Sequence, residues 1–145
     1  DLASKKLKRD VNVNLFKTTY FPYYKEQQVS CLSFVVKDSA YEKISDFMSF
    51  IKKKLKRKKL EIFGYFWIRD VGEVHFEKHY HIMIACTRLK ENVFGELFKN
   101  KKTKDFDVQF TRNIKALSDY CRKKELYGKF RQRTNGRSLT YKVPN

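Results

Sequence analysis

Two apolar runs separated by a short polar segment constrain the fold of this chain more than any other feature. The first run covers residues 62–68 and is followed by Arg69 and Asp70, and the second covers residues 79–85. Short apolar runs bounded by polar residues are typical of strands. The polar residues 70–78 can turn the chain back between them. The sequence therefore predicts an antiparallel hairpin.

The second run begins with two of the 3 histidines of the chain, His79 and His81. Successive side chains of a strand point to opposite faces, so these two imidazoles share one face. Asp70 has the strand parity of Phe66 and Ile68, and we expect it beside the histidines if that face also carries them. Two imidazoles and a carboxylate leave coordination positions open for a substrate oxygen. This arrangement predicts a catalytic divalent metal site.

Three other residues between the two runs are alternative metal ligands, namely Glu73, His75 and Glu77. A His-X-His pair is also compatible with ordinary packing or an exposed strand edge. A structural zinc site would require four closed ligands, and no Cys-X-X-Cys pair accompanies the histidines. The three cysteines, Cys31, Cys86 and Cys121, include no Cys-X-X-Cys pair, which argues against a zinc knuckle or a disulfide framework and favours an intracellular protein.

The charge of the chain points to a polyanionic partner. The 33 lysines and arginines outnumber the 16 acidic residues and give a formal net charge of +17. A field of that sign attracts nucleic acid, whereas the absence of an apolar run of 18 residues argues against a membrane span. With 145 residues, of which 41% are hydrophobic, the chain is long enough for one compact domain over residues 1–145.

Hydrophobic periodicity predicts the remaining elements. Residues 1–10 are interpreted as a mobile basic arm, residues 11–15 as a half-buried strand before Pro22, residues 30–36 and 106–110 as strands, and residues 128–145 as a basic tail. Ser39 and Glu42 have capping-box spacing before a long amphipathic helix, residues 91–99 form a second helix, and Thr111 is a candidate cap for the last helix. The prediction is an α+β domain with a mainly antiparallel sheet flanked by helices.

The last predicted helix carries a tyrosine followed by basic residues. Lys123 and Lys124 come three and four residues after Tyr120, so they share a helix face with it. A cation there can hold a phosphate or favour the phenolate. Arg122 lies between Tyr120 and Lys123, and Lys101 and Lys102 belong to a separate basic loop at residues 99–104.

Taken together, three motifs in order resemble those of the HUH endonucleases, in particular the single-tyrosine rolling-circle replication initiators, or Rep proteins, of small DNA viruses and plasmids. The motifs are the apolar strand at residues 31–36, then His79-Tyr80-His81, then Tyr120-Cys121-Arg122-Lys123. The resemblance covers residues 29–124 and is carried mainly by the order of the motifs.

The resemblance implies a fold with RRM-like, ferredoxin-like topology and a nicking and joining activity on single-stranded origin DNA. His79, His81 and Asp70 would hold Mg²⁺ or Mn²⁺, although the family's third ligand is usually glutamate. Tyr120 would form a 5′-phosphotyrosine intermediate, and Lys123 would orient the DNA or the tyrosine. The basic residues that would contact DNA are Lys101, Lys102, Arg122 and Lys124. Tyr127 is an alternative nucleophile by analogy with two-tyrosine relatives.

The partner implied by the resemblance is single-stranded or hairpin DNA at a replication origin. The chain has no Gly-X-X-X-X-Gly-Lys-Ser/Thr motif, so unwinding would require a host helicase or a helicase region outside this sequence. The expected location is the host cytoplasm, or the nucleus of a eukaryotic host. Two alternatives stay open: a non-catalytic basic module that binds nucleic acid, and an HUH transposase or relaxase of a mobile element.

Overall fold

Four helices and five strands occur in the computed structural model, which describes residues 2–41, 43–71, 78–127 and 133–145. In chain order they are α1 (Leu2–Lys25), β1 (Val29–Lys37), α2 (Ile44–Lys56), β2 (Ile62–Val71), β3 (Lys78–Thr87), α3 (Glu91–Leu97), β4 (Phe106–Phe110), α4 (Ile114–Arg122) and β5 (Asn135–Arg137). None of the described helices is long and apolar enough to cross a bilayer.

The five strands form one sheet in the order β4-β1-β3-β2-β5, and every neighbouring pair is antiparallel. The sequence β1-α2-β2-β3-α3-β4, with β1 and β3 in the centre, is the ferredoxin-like arrangement. The short strand β5 extends the sheet beyond β2. The predicted α+β class with an antiparallel sheet and flanking helices is confirmed.

The predicted hairpin is also confirmed, because β2 pairs with β3 over most of their length. Asp70 is directly opposite His79, and Ile68 is directly opposite His81. This register places Asp70, His79 and His81 on the same face of the sheet, as the strand parity of Asp70 predicts.

Helices α2 and α3 cover one face of the sheet and form what we call the α2/α3 layer. Phe47, Ile51 and Leu55 on α2 follow helical spacing and are fully buried. They pack in one cluster with strand residues such as Phe34 and Ile82. This apolar face explains why the chain forms a helix here, since the apolar stripe of an amphipathic helix is stabilised by burial.

The opposite face is covered by α1, α4 and the segment after β5, which together form the α1/α4 layer. Phe16 and Tyr20 on α1 pack with Phe66 of β2 and with Tyr141. The Tyr20 hydroxyl donates a hydrogen bond of 2.9 Å to the carbonyl of Lys142. The metal-ligand candidates lie in this layer.

The prediction of a basic arm and a strand before Pro22 is wrong, because α1 spans both segments and contains Pro22. The buried residues Arg9, Val13, Phe16 and Tyr20 follow one another at intervals of four, three and four residues, which is helical spacing. The alternating Val11 and Leu15, which suggested a strand, belong to the exposed side of the helix. The sequence of this segment fits both the two-residue period of a strand and the spacing of a helix. The residues with helical spacing are the ones buried against the sheet.

Two helix starts differ from the prediction. Helix α2 begins at Ile44 after Lys43, which makes no side-chain capping bond, and Glu42 of the predicted capping box lies outside the described residues. Helix α4 is capped by Asn113 and not by Thr111, because the Asn113 side chain accepts a hydrogen bond of 3.0 Å from the Ala116 amide. Asparagine is among the most favourable residues at this position.

The predicted basic tail contains ordered structure after residue 132. Residues 135–137 form β5, and the amide of Lys142 donates a hydrogen bond of 3.0 Å to the Phe63 carbonyl. Residues 128–132 lie outside the described chain. The tail lacked a periodic signal because its strand is only three residues long.

Candidate metal centre

Three potential metal ligands meet at the end of the β2–β3 hairpin. The Nε2 atom of His81 lies 3.1 Å from Oδ2 of Asp70, and the Nε2 atom of His79 lies 3.4 Å from the same oxygen. The two Nε2 atoms are 3.0 Å apart. Ligand atoms of all three residues therefore lie within 4.8 Å of one another, and the group can bind a metal ion.

These separations suit one ion coordinated by three ligands. Ligands that are at right angles with bonds of about 2.1 Å lie about 3.0 Å from one another. Asp70 is only 1% exposed and His81 is buried, whereas His79 is partly exposed at the rim. The donor set of two nitrogens and one oxygen leaves coordination positions for a substrate.

The electrostatics of the group favour an ionised carboxylate. Burial acts to raise the pKa of Asp70, but hydrogen bonds with His79 and His81 and the nearby Lys124 charge outweigh it and hold this pKa well below its usual range. Burial, the strongest effect on His81, lowers the pKa of its imidazole, although Asp70 acts in the opposite direction. An anionic carboxylate and neutral imidazoles are the forms that bind metals.

A lysine stands between the metal ligands and the candidate nucleophile. The Nζ atom of Lys124 lies 3.6 Å from Oδ2 of Asp70 and 4.0 Å from the centre of the Tyr120 ring. The backbone around Lys124 is held in two ways: the Arg9 guanidinium donates a hydrogen bond to the Lys124 carbonyl, and Leu126 forms a β-bridge with Asp70. The Lys124 side chain is only 13% exposed, so its charge acts within the site.

Tyr120 lies on the last turn of α4, beside this group. The buried side of α4 carries Ile114, Ser118 and Cys121, and Tyr120 is 48% exposed. Its ring centre is 6.0 Å from that of His81, with the two rings nearly perpendicular. The side chain is therefore accessible from solvent and next to the metal ligands at once.

Lys123, the expected catalytic lysine, has different surroundings from Lys124. It is exposed, follows the last residue of α4, and lines a shallow depression of about 370 Å³ with Asp10, Asp119 and Arg122. The Nη1 atom of Arg122 lies 3.7 Å from Oδ1 of Asp119. The sequence predicts both Lys123 and Lys124 on the helix face of Tyr120, where a cation can hold a phosphate or favour the phenolate, and the structure places Lys124 against the Tyr120 ring.

Tyr127 does not lie two helical turns after Tyr120, because α4 ends at Arg122. Its ring centre is 5.4 Å from Nζ of Lys78. Burial is the main factor that raises the pKa of its phenol, and the Asp38 carboxylate acts in the same direction.

The remaining site residues from the sequence are two basic residues and three alternative metal ligands. Lys101 and Lys102 are exposed between α3 and β4, where Lys101 Nζ is 5.4 Å from the centre of the Phe94 ring. The alternative ligands Glu73, His75 and Glu77 lie outside the described residues.

Comparisons of the chain with known protein families, with curated proteins and with solved structures found no match.

Proposed function

We propose that this protein is a metal-dependent enzyme that nicks and rejoins single-stranded DNA, with Tyr120 as the nucleophile. The observation that carries the proposal is the position of Tyr120, which is exposed and beside the Asp70, His79 and His81 group. A tyrosine next to a potential metal site is suited to attack on a phosphodiester, because a side chain then replaces water as the nucleophile.

The proposed step transfers one phosphoryl group. The Tyr120 Oη atom forms a bond to phosphorus, the bond from phosphorus to the 3′ oxygen breaks, and the phenolic proton is transferred overall to that 3′ oxygen. The products are a 5′-phosphotyrosine and a free 3′ hydroxyl. The reverse attack by a 3′ hydroxyl rejoins the strand and releases Tyr120, so the two steps conserve the energy of the bond.

The side chains around Tyr120 have separate roles in this proposal. Asp70, His79 and His81 would hold Mg²⁺ or Mn²⁺. A bound ion would polarise the scissile phosphate and stabilise the charge that develops on it. Lys124 would orient the Tyr120 ring and attract the phosphate, since its ammonium lies against both Tyr120 and Asp70.

The net charge of +17 supports a nucleic-acid partner. Together with the motif order it favours single-stranded or hairpin DNA at a replication origin, and hence the initiation of rolling-circle replication inside a host cell. A host helicase, or a helicase region outside this sequence, would then supply the unwinding.

The test is a cleavage assay with a pool of single-stranded DNA of randomised sequence, labelled at the 3′ end, in the presence of Mn²⁺ or Mg²⁺. A 5′-phosphotyrosine link predicts that the 3′ label migrates with the protein on a denaturing gel. The same pool labelled at the 5′ end should give only shortened, protein-free DNA.

The Tyr120→Phe variant should form no adduct, and EDTA should abolish the adduct of the wild-type protein. Tyr127→Phe is the matched control and should retain the adduct. Tight, salt-sensitive binding without an adduct for any sequence would contradict the proposal and favour the second candidate, a non-catalytic binding module, which the charge alone also supports.

A further inference from the structure

A groove of about 740 Å³ runs between α3 and the segment that joins β4 to α4, and Tyr120 forms part of its wall. Tyr120 therefore borders this groove, and the centre of its ring also lies 6.0 Å from that of His81 in the group of Asp70, His79 and His81.

The floor of the groove is apolar and its rim carries cations. Phe94 is 4% exposed and lies beneath the Lys101 ammonium, while Phe110 is half-buried and packs edge-on against Phe94 at 5.4 Å. Arg112 is exposed at the rim, where its Nη2 atom forms an ion pair of 2.8 Å with Oε1 of Glu91. An apolar floor accepts a flat ring, and the cations accept a phosphate.

Polar side chains line the same groove. Gln109 is exposed, and Asn113 uses its side-chain oxygen to cap α4, which leaves its amide hydrogens as donors. Thr111 is 5% exposed, and its Oγ1 has no hydrogen-bond partner among the described residues. The amide groups of Gln109 and Asn113 beside an apolar floor can read the edge of a nucleobase.

The sheet connects this groove to the metal group. On β1, Val35 is opposite both His81 on β3 and Asp107 on β4, and Ser33 is opposite Gln109. Gln109 and His81 therefore lie on the same face of the sheet, whereas Phe110, opposite Leu32, lies on the face covered by α2 and α3. The groove passes around the edge strand β4 and is lined from both faces. Ser33 and Val35 between them are only partly buried, so this part of the face is open.

We propose that this groove binds one unpaired nucleobase and its phosphate, and that Gln109 is a specificity-determining residue for that base. A base paired in a duplex would have its edge occupied, so the groove selects single-stranded nucleic acid. We assign this base to the nucleotide next to the bond that Tyr120 attacks, and this assignment rests on the proposed function. Binding of the base itself does not require cleavage.

The first experiment measures binding in EDTA, where no cleavage is expected. The probes are a fluorescein-labelled oligothymidine of about eight nucleotides and an abasic strand of the same length. Stacking of a base in the groove predicts that the wild-type protein prefers oligothymidine by about tenfold in fluorescence anisotropy titrations.

The double variant Lys101→Ala with Gln109→Ala should lose most of this preference. The matched control is Lys53→Ala with Ser49→Ala on α2, which removes the same charge and one polar group at exposed positions outside the groove. The control should weaken binding of both probes to the same small extent and keep the preference. Circular dichroism checks that each variant is folded.

The second experiment locates the base by photocrosslinking an oligothymidine that carries one 5-iodouracil. Mass spectrometry should find the crosslinks in residues 91–101 and 106–120. Crosslinks confined to α2, or equal affinity for the two probes, would overturn the proposal. Base preference without a tyrosine adduct would support base binding in the groove and contradict the proposed nicking activity. A tyrosine adduct without base preference would support the nicking activity and overturn base binding in the groove.

Discussion

Along β2 and β3, alternate residues face different layers of the molecule. Trp67 and Ile82 lie in the α2/α3 layer, whereas Ile68, Asp70 and His81 lie in the α1/α4 layer. The α2/α3 layer is an apolar cluster contributed by both helices and the sheet. The α1/α4 layer is apolar only as far as Ile68 and Met83, beyond which the same strands present metal ligands.

The comparison shows how one hairpin supplies both stability and a site. Each strand alternates its side chains, so a polar group can be placed on one face without interrupting the apolar contacts of the other. Desolvated polar groups are costly when they lack partners. Asp70 and His81 avoid this cost through contacts with each other and with Lys124.

The largest effect is expected for metal binding after His81→Ala. Removal of one of three ligands should abolish Mn²⁺ binding in isothermal titration calorimetry, because the remaining Asp70 and His79 would leave the ion weakly held. Ile82→Ala, next to it but in the other layer, should lower stability and retain Mn²⁺ binding. Equal metal affinity in the wild type and His81→Ala would refute the assignment of the ligands.

The next effect is expected in the α2/α3 layer. Phe34 is fully buried there and contacts the rings of Phe47 and Phe106. Phe34→Ala should lower the free energy of unfolding by about 3–5 kcal/mol in urea titrations, because it removes contacts and leaves a cavity. A loss below about 1 kcal/mol would show that this layer is not the main source of stability.

A smaller effect is expected at Gly64, at the far end of the α1/α4 layer. A Cβ atom there would overlap the Tyr20 hydroxyl and the Tyr141 ring. Gly64→Ala should therefore cost about 1–3 kcal/mol of stability through overpacking. Gly95 is the control: a Cβ on this α3 residue would meet no atom of the other described residues within 4 Å, so Gly95→Ala should stabilise the protein by up to about 1 kcal/mol.

Lys124→Met removes the ammonium of Lys124 and keeps a long side chain, so it tests the effect of the charge separately from that of the packing. Removing a cation 3.6 Å from Asp70 should raise the affinity for Mn²⁺ by about tenfold, because the ion no longer competes with the ammonium for the carboxylate. The exposed Lys123→Met is the control and should change this affinity little. The same calorimetric titration measures both, and a loss of affinity in Lys124→Met would contradict this account.

The smallest effect concerns the buried thiols, which report on opening of each layer. Burial raises the pKa of Cys86 and of Cys121 to about 12, so both stay protonated at about pH 8 and react slowly with a disulfide reagent in the native state. Cys86 belongs to the α2/α3 layer and Cys121 to the α1/α4 layer. We expect the α1/α4 layer to open before the α2/α3 layer. Mass spectrometry should therefore find Cys121 modified before Cys86 in low urea.

The sequence was most informative where one pattern was dominant. The apolar runs predicted the β2–β3 hairpin, and strand parity predicted that Asp70 joins His79 and His81. The helical spacing of Arg9, Val13, Phe16 and Tyr20 was concealed by the alternation of neighbouring residues. Only the sheet, which is formed by distant segments, decides which of the two patterns is buried.

The position of Lys124 could not be derived from local spacing alone. Tyr120 and both following lysines share a helical face in principle, but α4 ends at Arg122 and the chain then turns towards Asp70. The side chain of Arg9, which is more than a hundred residues away in sequence, helps to hold this turn through the Lys124 carbonyl. Tertiary contacts of this kind have no sequence signature.

The pairing of Asp70 with His79 also limits which insertions the chain can accept. One extra residue between Ile68 and Asp70 would reverse the parity of the strand end and direct the carboxylate towards α2 and α3. Two extra residues would restore the parity but displace the carboxylate by about 7 Å along the strand. Insertions in β2 should therefore be eliminated by selection for the metal group even where the fold would tolerate them.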